Sequence, residues 1–372
     1  MIIVDPLQSG GTPPDYVVET LKSYLKGYPI CLHCPGDVHR IRKPNIAKLI
    51  EEDLPNFIGA DVVRLTHGAR EAAFLSLFSL YKHHIREKKD KAPVVILDGN
   101  THYSMILATE RSLLKPILTK VSGPLEYKVM KEDFENKIES VKEKYKKEPL
   151  ALIVTYPDGK YGNFPDLEKI SKIAKENDVY LIVNAAYSVG RLPFDMKEFD
   201  ADIVVCSAHK SMACVGPLGV LGMRGDVSKI ILKKSAYMDK ELELLGCTSR
   251  GLSTLCLLYV FPYLKKRVRE WDKKVEIANY FLKEAEEKLG FQLQGERPHQ
   301  HDLLNFKTET LYKISQKTDR YYLYRELKKR GIIGIKPGIT KVVKLSTYLL
   351  EKKEVDFLIN SFADLIEKYS TR

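Results

Sequence analysis

Apolar positions follow two rhythms along this chain. In the first stretch, short β-branched runs recur at Val94–Leu97, Ala151–Thr155, Val179–Val183, Ala201–Val205 and Gly216–Met223, too apolar on both faces to be edge strands. Between them, apolar residues return at helical spacing over about 103–113, 131–146 and 166–176, among charged residues. This alternation predicts an α/β fold, with a mainly parallel sheet covered by helices on both faces. From about 253 the rhythm changes. A long helix over about 254–287, interrupted near Pro262, leads to strands at 291–294, 302–307 and 341–346 and helices at 311–317, 321–330 and 352–369, which read as a smaller α+β domain.

Ahead of the first strands, Asp5–Pro14 forms a turn-rich arm, and Thr12 is placed to cap a helix over about 15–26. The expected organisation is an N-terminal arm with a Cys-x-x-Cys loop at 1–40, a large α/β domain at 41–252 and a small C-terminal α+β domain at 253–372.

Composition narrows the class. The 372 residues suffice for a large domain plus a smaller one, and no apolar run reaches the ~20 residues that span a bilayer. The N-terminus lacks a basic-then-apolar leader, so a cytoplasmic protein is expected. Lys and Arg outnumber Asp and Glu by 60 to 49, a net charge of +11 that favours an anionic partner, nucleic acid or a phosphorylated metabolite. The charge runs at 86–91, 142–147 and 265–269 read as solvated faces. Six cysteines in such a chain do not make a disulfide framework. Cys206, Cys214 and Cys256 sit among apolar or small neighbours and read as buried hydrophobes, whereas Cys31 and Cys34 form a Cys-x-x-Cys with no second pair at zinc-finger spacing.

The chemistry concentrates where strands end. Cys206-Ser207-Ala208-His209-Lys210 joins two core strands, so a scaffold holds Lys210 among small residues that leave room for a flat ligand. A hydroxyl and an imidazole can bind a phosphate while the amine attaches to an aldehyde, the combination that pyridoxal phosphate requires. At Gly68-Ala69-Arg70 a short extended segment gives way to a helix, whose first N–H groups and positive dipole end suit a phosphate. His102, Asp158 and Asn184 follow other strands, and ligands of parallel sheets bind at those carboxyl ends. Lys210 for covalent attachment, Gly68, Ala69, Arg70 and Ser207 for the phosphate, His102 against the ring and Asn184 at the ring nitrogen make up a pyridoxal site.

That set resembles the fold-type I pyridoxal enzymes, and the step from Asn184 to Lys210 is similar to their cysteine-desulfurase-like branch. The strings THGAREA (66–72), NTHYS (100–104), TYPDGKYGN (155–163), VNAAYSVGRLP (183–193), SAHKSMA (207–213), ELLGCTSRG (243–251), HDLL (301–304), LYRELKKRGIIGIKPG (323–338) and KLSTY (344–348) resemble the O-phosphoseryl-tRNA:cysteinyl-tRNA synthase family along nearly the whole chain. The resemblance implies a seven-stranded-type sheet and a pyridoxal-phosphate-dependent transferase. Its substrate would be phosphoseryl-tRNA(Cys), which loses phosphate from Cβ and gains sulfur there. Lys210 would move the Cα proton; His102, Arg70 and Arg250 would serve the substrate phosphate; and His209 would join the cofactor-binding set. A cysteine desulfurase-like sulfur-transfer lyase is the alternative.

The resemblance further implies that Cys31, Cys34 and Cys247 serve the sulfur step, either as persulfide carrier and reductant or as ligands of an iron–sulfur cluster. The loop holding Arg250 is expected to reach a neighbour's site in a homodimer. A sulfur donor and the phosphoseryl-tRNA synthetase are candidate partners, and a membrane is not.

Overall fold

The computed structural model describes residues 1–25, 44–233 and 251–370. Cys31, Cys34, Cys247 and Arg250 therefore lie outside the described residues.

A seven-stranded sheet organises the molecule: β1 (Val62–Thr66), β2 (Ala92–Leu97), β3 (Lys115–Leu118), β4 (Pro149–Thr155), β5 (Tyr180–Asn184), β6 (Ile203–Ser207) and β7 (Gly219–Met223), in spatial order β1-β7-β6-β5-β4-β2-β3. Ladders β3-β2-β4-β5-β6 are parallel, and β7 runs antiparallel to both β6 and β1. Every residue of β4, β6 and β7 is buried, which explains their nearly unbroken apolar sequence. Alternate residues of β4 face opposite ways. Leu152 and Val154 enter the core that includes Phe134 and Ile170, while Ala151 and Ile153 enter the one that includes Leu75 and Met105. The short edge strand β3 escaped the apolar pattern because its residues are half-buried or exposed and it carries Pro116, tolerated at a sheet edge.

The register places the strand ends in two adjacent rows, because Asn184 pairs with Val205 and Ser207 lies two residues further on. Thr155 pairs with Asn184, Ser207 with Gly219 and Gly219 with Thr66. Gly219 is needed there: a Cβ would lie 2.3 Å from the Thr66 hydroxyl and 2.4 Å from the Gly68 carbonyl carbon.

The expected long helix is two. Gly251–Arg267 contains Pro262 without ending at it, a tight turn follows at Val268–Glu270, and Trp271–Leu289 continues. Leu255, Leu257, Val260 and Leu264 of the first pack with the sheet's core. Ala278, Phe281, Leu282 and Ala285 of the second pack in a separate core with β8 (Gln292–Leu293), β9 (Leu303–Lys307), β10 (Val342–Ser346) and the helix Lys352–Ser370. Val4 joins that second core, and Ile2–Ile3 pairs in parallel with Ile332–Ile333, so the N-terminal arm is tied to the C-terminal body.

The arm also differs from expectation in its capping. Asp5 accepts from the N–H groups of Leu7 and Gln8 and starts a helix at Pro6–Gly11, and Thr12 ends that helix instead of starting the next one. The next helix, Asp15–Lys22, begins after Pro14 without a side-chain cap.

Candidate active site

A cleft of about 960 Å³ opens at the carboxyl ends of the parallel strands. It collects Gly68, Ala69 and Arg70 after β1, His102 after β2, Asn184 at the end of β5, and Ser207, His209 and Lys210 after β6. All the described members of the expected cofactor set therefore share one space. Among the described residues Asp5 is the one carboxylate on its walls, against Arg70, Lys210, Lys336 and Lys344, and its oxygen is engaged in capping.

Lys210 sits in the short helical turn Ala208–Ser211. Burial, and then the Arg70 charge, lower its pKa, which favours the neutral amine that attaches to an aldehyde or accepts a proton. Its ammonium position lies 5.6 Å from the centre of the buried Tyr187 ring. The backbone beneath is fixed by Arg267, which is buried and donates to the carbonyls of Gly190, Gly10 and Ser211. Gly10 permits this approach, because a Cβ would stand 2.4 Å from the Lys210 carbonyl oxygen.

The helix Ala69–Leu80 starts at Gly68, whose lack of a side chain leaves the first turn without an N-cap hydrogen bond. That open end, with the Ser207 hydroxyl 3.3 Å from Nδ1 of His209, gives an anion both N–H and O–H donors. An amine with lowered pKa, an uncapped helix start and a cationic lining fit pyridoxal phosphate. Asn184 is buried at the end of β5, and its side-chain oxygen accepts from the Ala186 N–H at 3.4 Å.

His102 has a second task that the sequence reading lacked. Its Nδ1 accepts from the Ser104 N–H at 3.3 Å and so caps the helix Tyr103–Arg111. Burial, followed by the charges of Lys210, Arg70 and Lys344, pushes its pKa down to about 4. At neutral pH it is thus an uncharged imidazole with its proton on Nε2. Arg70 is exposed at the cleft mouth, where it donates to the Tyr103 hydroxyl at 2.7 Å and lies 5.3 Å from that ring's centre.

Several residues escaped the sequence reading. Asp98 is fully buried and accepts from the N–H groups of Asn100 at 2.9 Å and Thr155 at 2.7 Å, fixing the turn that leads to His102. Burial raises its pKa to about 7. An acid directly after an apolar strand was the available signal. Asp158, which the sequence does place at a strand end, is buried too, but its carboxylate accepts from the N–H groups of Lys160, Tyr161 and Asn163 and so shapes its own loop. Lys344 could have been found as a lone charge between apolar neighbours on a strand. Among the described residues no group of three or more His, Cys, Asp or Glu could hold a metal ion, and the cysteines expected as iron–sulfur ligands are not among them. Cys206, Cys214 and Cys256 are buried free thiols.

Comparison with known proteins gives concordant results. A family model described as O-phosphoseryl-tRNA(Sec) selenium transferase, SepSecS, matches residues 47–367. The O-phospho-L-seryl-tRNA:Cys-tRNA synthase of Methanosarcina acetivorans is 42% identical over 371 residues, covering 99% of this chain and 94% of that protein. Its counterpart in Methanococcus maripaludis is 39% identical, over 99% of this chain and 95% of that one. Among solved structures, a chain from a crystal structure of a SepCysS–SepCysE N-terminal domain complex superposes with a TM-score of 0.89 at 36% identity, covering 99% and 95% of the two chains. A cysteine desulfurase from Thermococcus onnurineus NA1 shares the fold, with a TM-score of 0.72 at 19% identity over 99% and 95%.

Proposed function

This chain belongs to the O-phospho-L-seryl-tRNA:Cys-tRNA synthase family, and we propose that it replaces the phosphate of O-phosphoseryl-tRNA(Cys) by sulfur to make cysteinyl-tRNA(Cys). The observation that carries this reading is the convergence of Lys210, Arg70, His102, Asn184 and the uncapped start of Ala69–Leu80 in one cationic cleft. Lys210, Ser207, His209 and the Gly68–Arg70 helix start would hold pyridoxal phosphate, which would supply the electron sink that makes the substrate Cα proton removable.

The chain's own residues supply the rest. Lys210 takes the Cα proton and later returns it; burial and the Arg70 charge lower its pKa, which favours the neutral amine that accepts a proton. The C–O bond to phosphate breaks, a C–S bond forms at the same carbon, and inorganic phosphate leaves. Arg70, steadied by Tyr103, is placed to grip the phosphate as it departs, and the neutral His102 can donate to it through Nε2–H. Asn184 offers the ring nitrogen a neutral amide, which suits a good leaving group and argues against transamination.

The expected roles of Cys31, Cys34, Cys247 and Arg250 belong to the same reading, with persulfide transfer and an iron–sulfur cluster both retained. So do the homodimer, the sulfur donor, the phosphoseryl-tRNA synthetase as partner and the cytoplasmic setting, which a tRNA substrate supports. The related SepCysS–SepCysE complex supports a SepCysE-type protein as a further partner. No described helix is long and apolar enough to cross a membrane.

The test is incubation of the protein with phosphoseryl-tRNA(Cys) and sulfide, reading cysteinyl-tRNA and released phosphate. Rapid formation of alanine from free cysteine, with phosphoseryl-tRNA untouched, would establish the desulfurase instead.

Arg70→Gln is expected to raise the KM for phosphoseryl-tRNA about 10- to 100-fold, the worth of one charge-assisted hydrogen bond. Because Arg70 lowers the Lys210 pKa, the variant's activity should also require a higher pH. A variant with unchanged KM and pH profile removes Arg70 from the site.

A further inference from the structure

One wall of the cleft has no task in the reading above. The sheet side supplies Lys210, Arg70 and His102, whereas Tyr324, Lys336 and Lys344 belong to the C-terminal body. We propose that this second wall seats the 3′-terminal nucleotide of the tRNA that carries the phosphoserine, an inference that rests on the proposed reaction and extends it.

Lys344 is the inner member. Its neighbours on β10, Val343 and Leu345, are sunk in the second core, so strand alternation turns Lys344 to the other face. There its ammonium donates to the Gly159 carbonyl, and Asn305, opposite it in the ladder, donates to the Lys160 carbonyl at 3.0 Å. One N–H spent on Gly159 leaves two for a ligand. Burial lowers the Lys344 pKa, Asp158 and Asp5 pull it back, and the charges of Lys210 and Lys336 lower it further; the Asp5 carboxylate is engaged in capping. Like charges gathered this way call for an anion between them.

Lys336 and Tyr324 form the rim. Lys336 is exposed on a turn anchored by buried Ile335 and bounded by Gly334 and Gly338, with φ of 106° and 74°. A Cβ on Gly338 would stand 3.2 Å from the Tyr321 ring, so the turn lies flush against the start of the helix Tyr322–Lys329. Tyr324 is half-buried on that helix with the Lys328 ammonium 5.7 Å from its ring centre. The nearby acids are engaged elsewhere, Asp319 with Arg325 and Glu326 with Lys329 and Lys368. Lys328 and Lys336 have no carboxylate partner among the described residues.

A half-buried aromatic ring flanked by unneutralised ammonium groups is what a single-stranded nucleic acid end requires, since bases stack on aromatic faces and lysines neutralise the backbone. The order also matches the substrate's covalent order. Lys210 and Arg70 meet the phosphoseryl group, Lys344 lies beside Lys210 where the esterified ribose must follow, and Tyr324 and Lys336 meet the base and its phosphodiester at the rim.

The test uses the full chain and a fluorescein-labelled acceptor-stem minihelix ending in CCA, compared by anisotropy at fixed salt with the same RNA lacking its terminal adenosine. The wild type should bind the complete end about tenfold more tightly, the usual worth of one stacked base. Tyr324→Ala and Lys336→Gln should erase that difference, Tyr324→Phe should keep it, and all three should bind the shortened RNA like the wild type, which controls for folding. Equal affinity of the wild type for both RNAs, or a preference that survives in Tyr324→Ala and Lys336→Gln, overturns the proposal. If the wild type prefers the complete end but makes no cysteinyl-tRNA, this subsite stands and the proposed reaction falls.

Discussion

Lys210→Ala protein turns over phosphoseryl-tRNA at least ~10⁴-fold more slowly than the wild type, because one side chain supplies both the cofactor attachment and the proton transfer at Cα. Neither water nor a neighbour replaces it. His102 is uncharged and occupied at Nδ1, and Lys344 is tied to the Gly159 carbonyl. Lys210→Arg should be equally inactive, since a guanidinium keeps the charge but cannot titrate or attach to an aldehyde. Stability moves the other way. Burial lowers the Lys210 pKa, so the charged amine destabilises the folded chain at neutral pH, and the cofactor-free Lys210→Ala protein should melt no lower than the cofactor-free wild type. Phosphate release, absorbance of the bound cofactor and a melting curve on one preparation settle the matter. Residual turnover within tenfold of the wild type would show that Lys210 is neither anchor nor base.

Strand ends were legible because the sheet is parallel and buried. Its strands are apolar runs, so polar residues at their ends stand out, and Ser207 and Asn184 were found that way, whereas after β2 the nearer Asp98 was passed over for His102, four residues further on. What stayed hidden was set by packing across long sequence distances. Pairing of Ile2–Ile3 with Ile332–Ile333 carries no local signal, since two-residue strands have no periodicity. The division between Gly251–Arg267 and Trp271–Leu289 was misplaced to Pro262 because proline is the visible helix breaker, while the actual bend at Val268–Glu270 lies where the chain passes from one core to the other. Lys344 was overlooked because its neighbours mark the strand as core, and only the tertiary fold brings the strand's other face to the cleft.

The same long-range packing produces a second large effect, at Asp302. Asp302 and Arg191 are completely buried and joined at 2.9 and 3.2 Å, linking the C-terminal body to the loop after β5. Ser346 donates to the same carboxylate, and Arg191 also donates to the Pro6 carbonyl at 2.7 Å and lies 5.0 Å from the Tyr348 ring centre. Asp302→Asn leaves the guanidinium buried without its counter-charge, which should cost about 3–5 kcal/mol of stability. The double variant Arg191→Met/Asp302→Asn should lose less than the sum of the two single changes, since it removes the stranded charge as well. Trp271, the single tryptophan, reports on this region because its ring centre lies 5.2 Å from that of His301, which adjoins the carboxylate at 3.4 Å. Acid should have a related effect. Burial alone would raise the Asp302 pKa, but Arg191 and His301 hold it below the usual carboxylate value, so its contribution is present above about pH 4 and lost as pH falls through the lowered pKa. Burial holds the His301 pKa at about 4 against an ordinary 6.5, so the unfolded chain binds a proton that the folded chain refuses, and stability falls as pH drops through that window. Catalysis should suffer with stability, because Arg191 packs beneath Gly10, the residue against which the Lys210 backbone rests. Urea unfolding followed by Trp271 fluorescence measures the Asp302→Asn loss at neutral pH and the His301 effect at pH 5; an Asp302→Asn midpoint equal to the wild type's would mean that the buried pair does not hold the two cores together.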